Sequence, residues 1–162
     1  MPKSRTIRRF KETGTKKAPA LSPKELKRLL YVAGETRNPE RNQLIVWMLF
    51  AAGFRITEVA QIEVQDVISV CGDIKAEVII PAKYSKSGRA GRVYFYHPKL
   101  TKALDRYLNY RVSNKLMLDI RGSNKYLGLR KCSKLILSEN KRPYYLKRKT
   151  RTKKDGSVAM FH

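Results

Sequence analysis

Cysteine and histidine are nearly absent from this chain, with two of each among 162 residues. Cys71 and Cys132 have no Cys or His at ligand spacing. That argues against a zinc site and against a disulfide framework. The plain expectation is two small reduced side chains in a cytoplasmic protein, with no metal and no cofactor. No run of 18 apolar residues exists, which excludes a helix long enough to span a membrane. The basic N-terminus is not followed by the apolar stretch of a secretory signal. Acid is scarce too: 13 Asp+Glu face 36 Lys+Arg, a net charge of +23. Such a field favours a polyanionic partner, nucleic acid before an anionic membrane. Apolar residues make up 42%, and the length suits one domain with a real core.

Residues 1–20 carry Lys3, Arg5, Arg8, Arg9, Lys11, Lys16 and Lys17 against one acid, Glu12. Little apolar surface offsets the entropy of ordering, so this reads as a flexible basic arm, either contacting phosphates or merely solvated. Structure is expected from Leu21. Ser22, Pro23 and Glu25 form the signature of a capping box, and Leu26, Leu29, Leu30 and Ala33 follow at helical spacing. Gly34 is expected to stop that helix. A second helix should run from Asn38-Pro39 to Ala52, apolar nearly all round and therefore central and buried. Trp47 in it reads as core. Gly53 suits a left-handed stop, and Thr57 a cap for a short third helix.

The period then changes. Ile74, Ala76, Val78 and Ile80 alternate as in a strand, ended by Pro81. Lys83 to Gly91 reads as a basic hairpin loop, and Arg92 to Tyr96 as the return strand. Leu100, Ala103, Leu104, Tyr107 and Leu108 mark a fourth amphipathic helix. Residues 113–134 show little periodicity. Leu135-Ile136-Leu137-Ser138 looks like a short buried strand. Lys141 to Lys154 holds eight cations and no acid, with Tyr144 and Tyr145 among them. That pattern suits a nucleic-acid surface or a solvated charge run. A turn is expected at Asp155-Gly156. The pattern predicts an α+β, mainly helical fold packed with a small antiparallel hairpin.

The chemistry centres on Met48 to Val67 (MLFAAGFRITEVAQIEVQDV), where one cation, Arg55, stands between core-like segments. Burying it is costly unless it is paired or meets an anion. Its fork of donors matches a phosphate in two-point contact, and Glu58, three residues on, can hold that fork. Lys86 in the loop can bring a flexible ammonium to the same phosphate, and Arg89 and Arg92 enlarge the positive field. On spacing alone a second reading stands beside this one: a local ion pair and a solvated loop lysine.

Ala51-Ala52-Gly53-Phe54-Arg55-Ile56-Thr57-Glu58-Val59, with Ile62 and Asp66-Val67, resembles the first signature block of the tyrosine recombinase (phage integrase) family. The capped start at Leu21-Ser22-Pro23-Lys24-Glu25-Leu26 is similar to the beginning of its catalytic domain. Lys86-Ser87-Gly88-Arg89-Ala90-Gly91-Arg92-Val93 resembles its K-x-G-x-x-R-x-V loop with one extra residue, and Leu135–Ser138 with Lys141-Arg142-Pro143 resembles a later segment. The resemblance implies a helical catalytic domain with a small antiparallel sheet over residues 21–162, preceded by the arm. It implies double-stranded DNA as partner and a tyrosine that attacks a phosphodiester without metal or ATP. Arg55 would stabilise charge on the scissile phosphate, Glu58 would support it, and Lys86 would protonate the leaving oxygen. The extra loop residue makes Lys83 the alternative lysine. Arg89, Arg92, Lys147, Arg148, Lys149 and Arg151 would contact DNA.

The family's second block, H-x-x-R and then a nucleophilic Tyr, has no counterpart. His97 is followed by Pro98-Lys99-Leu100, and none of the nine tyrosines follows such a block. The expectation is an incomplete catalytic domain with no nucleophile, unable to complete strand cleavage. Two alternatives stand beside it. One is a non-catalytic DNA-binding remnant that binds an intact integrase or itself and regulates recombination. The other is a basic structural RNA-binding protein.

Overall fold

A computed structural model describes residues 20–85, 88–119, 125–145, 149–152 and 158–161. Lys86, Lys147, Arg148, the turn at Asp155-Gly156 and the arm up to residue 19 lie outside the described residues. Among the described residues there are five α-helices: α1 (Pro23–Gly34), α2 (Pro39–Ala51), α3 (Ile56–Gln61), α4 (Val64–Val67) and α5 (Pro98–Ser113). Between α4 and α5 a hairpin, β1 (Glu77–Ile80) and β2 (Gly91–Tyr94), pairs antiparallel from Glu77↔Tyr94 to Ile80↔Gly91. The fold is thus α+β and mainly helical with a small antiparallel sheet, as the pattern predicts. Among the described residues no helix is long and apolar enough to cross a membrane.

Local chemistry explains the boundaries. Glu25 accepts from the Ser22 N–H at 2.8 Å while the Glu25 N–H donates to Ser22 Oγ at 3.3 Å, which is the capping box read from the sequence. The sheet alternates as expected: Val78 and Ile80 point inward and Glu77 and Ile79 outward. His97 begins α5, its Nδ1 accepting from the Lys99 N–H at 3.3 Å.

One core joins these elements. Leu44 and Met48 of α2 meet Leu100, Leu104, Tyr107 and Leu108 of α5, and the inner hairpin face adds Val78, Ile80, Val93 and Phe95. Leu135 and Ile136 close it from the later chain.

Three expectations need correction. α2 is not buried all round: α1 and α5 pack on parts of it, but Leu49 and Phe50 are exposed among the described residues. Trp47 is half-buried at the core's rim, its ring centroid 5.0 Å from that of His97. Gly34 does end α1 as expected, though without a left-handed turn. A Cβ there would lie 2.7 Å from Gln43 Nε2, the far end of a side chain that can swing aside. Leu135-Ile136-Leu137 is buried but forms no ladder. The Leu135 N–H donates to the Ile62 carbonyl at 2.8 Å and the Leu137 N–H to the Tyr107 hydroxyl at 3.1 Å, with single bridges Glu63↔Lys134 and Leu137↔Pro143.

The basic run near the end was not expected to pair. It does: β3 (Lys149–Thr152) and β4 (Val158–Phe161) form a second antiparallel hairpin, from Lys149↔Phe161 to Thr152↔Val158. Lys-Thr-Arg-Thr places a β-branched residue at every second position, a strand signal hidden in the run of charge.

Candidate functional site

α2 stops at Ala51, and Gly53 takes φ +69°. A left-handed residue there turns the chain back, and the Phe54 N–H donates to the Met48 carbonyl at 3.2 Å. Phe54 drops into the core beside Phe95 of the hairpin, their centroids 6.1 Å apart. Arg55, next in the chain, is thereby fixed at the N-cap of α3.

Glu58 spends both oxygens on this one residue. Oε2 accepts from the Arg55 backbone N–H at 2.8 Å, and Oε1 accepts from Arg55 Nη1 at 2.9 Å. The R-x-x-E spacing is therefore the N3 half of a capping box: Glu58 accepts from the cap N–H, while arginine at the cap position has no acceptor to offer in return. Thr57, expected as the cap, lies inside the helix, one residue beyond its start. The burial expectation is also reversed. The Arg55 side chain is 62% exposed and that of Glu58 only 4%. Glu58 is the charge that needs a partner, and Arg55 supplies it while presenting its remaining donors to solvent. Among the described residues the Arg55 guanidinium has no other hydrogen-bonding partner.

The other candidates disperse. Lys83 sits in a single 3-10 turn in the hairpin loop, its Nζ 4.8 Å from the Tyr84 ring centroid. A hydrogen bond with the Tyr84 side chain, above all, holds its ammonium above the ordinary lysine range. A higher pKa makes a weaker proton donor near neutrality. Among the described residues no hydrogen bond or ion pair joins Lys83 to Arg55. Arg92 lies on the outer face of β2 and pairs with Glu77 at 3.1 Å, so part of its charge is already answered. Arg89 is exposed in the loop. Lys149 and Arg151 belong to β3.

Sequence reasoning missed two cationic centres. Lys134 links the α3–α4 turn to the hairpin base. It donates to the Gln61 carbonyl at 2.8 Å and to Glu63 Oε1 at 3.1 Å, and lies 5.1 Å from the Tyr84 ring centroid. Burial works against ionisation of Glu63, yet Lys134, Gln65 and Tyr84 together hold its carboxyl below the ordinary range. Arg111 on α5 is fully buried. Nη1 donates to the carbonyls of Lys134 and Leu135 at 3.0 and 3.1 Å, and Nη2 to Ser133 Oγ at 3.1 Å and the Leu116 carbonyl at 3.4 Å. Burial pulls its pKa down, but a guanidinium stays charged. No short motif marks either centre, because the acceptors come from distant chain.

Two concave sites among the described residues lie elsewhere. A cavity of about 230 Å³ is lined by Val64, Ile68, Tyr126 and Leu129 among others, and a more open cleft by Asp73, Thr101, Asp105 and Lys125 among others. Neither includes Arg55, whose side chain is 62% exposed.

Among solved structures, the chain is similar to the crystal structure of XerA recombinase, with a TM-score of 0.51 and 21% identity. The fold is recombinase-like. The match covers 82% of this chain and 38% of the recombinase, so it spans well under half of that protein. No family model matches the sequence, and no curated protein matches it.

Proposed function

We propose that this chain binds duplex DNA through a tyrosine-recombinase-like domain over residues 21–162, with Arg55 gripping a backbone phosphate and residues 1–20 adding phosphate contacts. The observation that carries this is the Arg55–Glu58 geometry. A buried carboxylate holds one edge of the guanidinium and the backbone beneath it, while the rest of the fork is open. A fork steadied in this way meets a phosphate with little further loss of side-chain freedom. The exposed side chain is within reach of a large polyanion. The net charge of +23 supplies long-range attraction.

In the breaking–rejoining reaction of the resembled family, Arg55 would stabilise charge on the scissile phosphate, with Lys86, or Lys83 in its place, donating a proton to the leaving oxygen. These 162 residues hold no H-x-x-R block and no tyrosine following one. The proposed activity is therefore binding without strand cleavage. Two measurements test it. Anisotropy with labelled duplex DNA should show binding that falls steeply with salt, and Arg55→Ala should weaken it about tenfold at unchanged helix content. Absence of duplex binding at low salt would sink the proposal, and a preference for structured RNA would favour an RNA-binding role instead. A nicked suicide substrate should give no covalent adduct. A trapped adduct would show that a tyrosine of this chain acts as nucleophile after all.

A further inference from the structure

The β1–β2 hairpin has two unlike faces. Its inner face lies in the core. Its outer face carries Glu77, Ile79, Arg92 and Tyr94, continued just beyond the strand by Tyr96. Tyr94 is 45% exposed, Tyr96 71% and Ile79 56%. Large aromatic rings bring most to a fold when buried, and these two are left in water. They are also ordered against each other: the ring planes lie 12° apart and the centroids 5.3 Å apart. Side chains two apart on one strand face have thus become a single stacked pile. The Arg55 phosphate grip uses neither ring.

We infer that this outer face is a stacking platform for the unpaired bases of single-stranded nucleic acid. A flat pile of rings offers a further π-face to any base, and such stacking is largely indifferent to sequence. The charge of the chain selects the occupant, because a field of +23 draws a polyanion and discourages a second copy of the same chain. Arg92, two residues before Tyr94 on the same face, places a cation beside the pile, and Glu77 holds its Nη1 at 3.1 Å. Duplex DNA keeps its base faces covered, so this surface responds to opened strands, whereas Arg55 responds to the backbone. The inference goes beyond the duplex reading and shares with it only the polyanionic class of partner.

The test compares a short labelled oligothymidylate with duplex DNA by anisotropy. The proteins are the wild-type chain, Tyr94→Ala/Tyr96→Ala, Tyr94→Phe/Tyr96→Phe and Arg55→Ala. The alanine pair should bind the oligothymidylate about tenfold more weakly or worse and leave duplex affinity unchanged. The phenylalanine pair should retain single-strand binding, since stacking needs the ring and not the hydroxyl. Circular dichroism and melting curves confirm the fold of each variant. Undiminished oligothymidylate binding by a folded alanine pair would overturn the platform. So would a light-scattering mass showing a dimer that the alanine pair abolishes while oligonucleotide binding persists, which would make this face a protein contact. Loss of duplex binding in Arg55→Ala with single-strand binding intact is the reverse pattern expected for the phosphate grip. A wild-type chain that bound the oligothymidylate but no duplex would refute that grip alone.

Discussion

Two arginines divide the labour of charge in this molecule. Arg55 leans on one buried carboxylate and turns the rest of its fork outward. Arg111 turns inward, with three backbone carbonyls and one hydroxyl around it and no carboxylate among its described partners. The first pair keeps a charge available; the second spends a charge on tying separate pieces of chain together. Leu116, Ser133, Lys134 and Leu135 belong to a stretch with hardly any regular structure, and Arg111 is the node they share. Tyr107, one turn earlier on α5, accepts from the Leu137 N–H at 3.1 Å and extends the same seam. Burial, above all, pushes its hydroxyl above the ordinary tyrosine range.

Arg111→Met gives the largest effect expected. Methionine fills much of the volume but leaves the carbonyls of Lys134 and Leu135 buried without a donor. Swapping a whole buried ion pair for apolar groups can be neutral, but here only the donor is removed and the acceptors stay. The loss should be about 3–5 kcal/mol by chemical denaturation. A loss under about 1 kcal/mol would mean that water replaces the guanidinium and that Arg111 is no structural node.

The contrast also explains what could be read from the chain beforehand. Gly53, Arg55 and Glu58 were legible because their whole interaction closes within six residues, at the spacing of a cap. The capping box of α1 and the alternation of β1 were legible for the same reason. Arg111 was not. Its acceptors come mostly from 22–24 residues further on, beyond any periodic signal. The exposure of Leu49 and Phe50 was invisible as well, since periodicity reports how apolar a helix is and not which neighbours arrive to cover it. The sign of burial at Arg55 was misread because the sequence shows a charge between apolar segments but not which partner of a pair faces water.

A second prediction probes that misreading. Arg55→Ala removes the cation that answers the buried Glu58 carboxylate and leaves it only a backbone donor, so the stability cost should be about 2–3 kcal/mol. Glu58→Gln should cost less, about 1–2 kcal/mol, because the amide leaves no charge buried and keeps one acceptor for the Arg55 N–H. Urea midpoints in that order would support the assignment of Glu58 as the buried member. The reverse order would mean that water answers the Glu58 charge without Arg55 and that the carboxylate does not steady the guanidinium.

The smallest expected effect sits at the junction that aims Arg55. Gly53 holds φ +69°, and a Cβ built there would meet nothing within 4 Å. The cost of Gly53→Ala is then backbone strain alone, about 1 kcal/mol, and Gly53→Asn should recover part of it because asparagine tolerates the left-handed region. Steric crowding would penalise asparagine more than alanine, so the order of the two melting temperatures separates the causes. If alanine is the milder change, crowding and not the left-handed backbone sets the cost. A strained turn would hold Arg55 less firmly where Phe54 and Glu58 now place it, so the duplex affinity of Gly53→Ala should fall with its melting temperature.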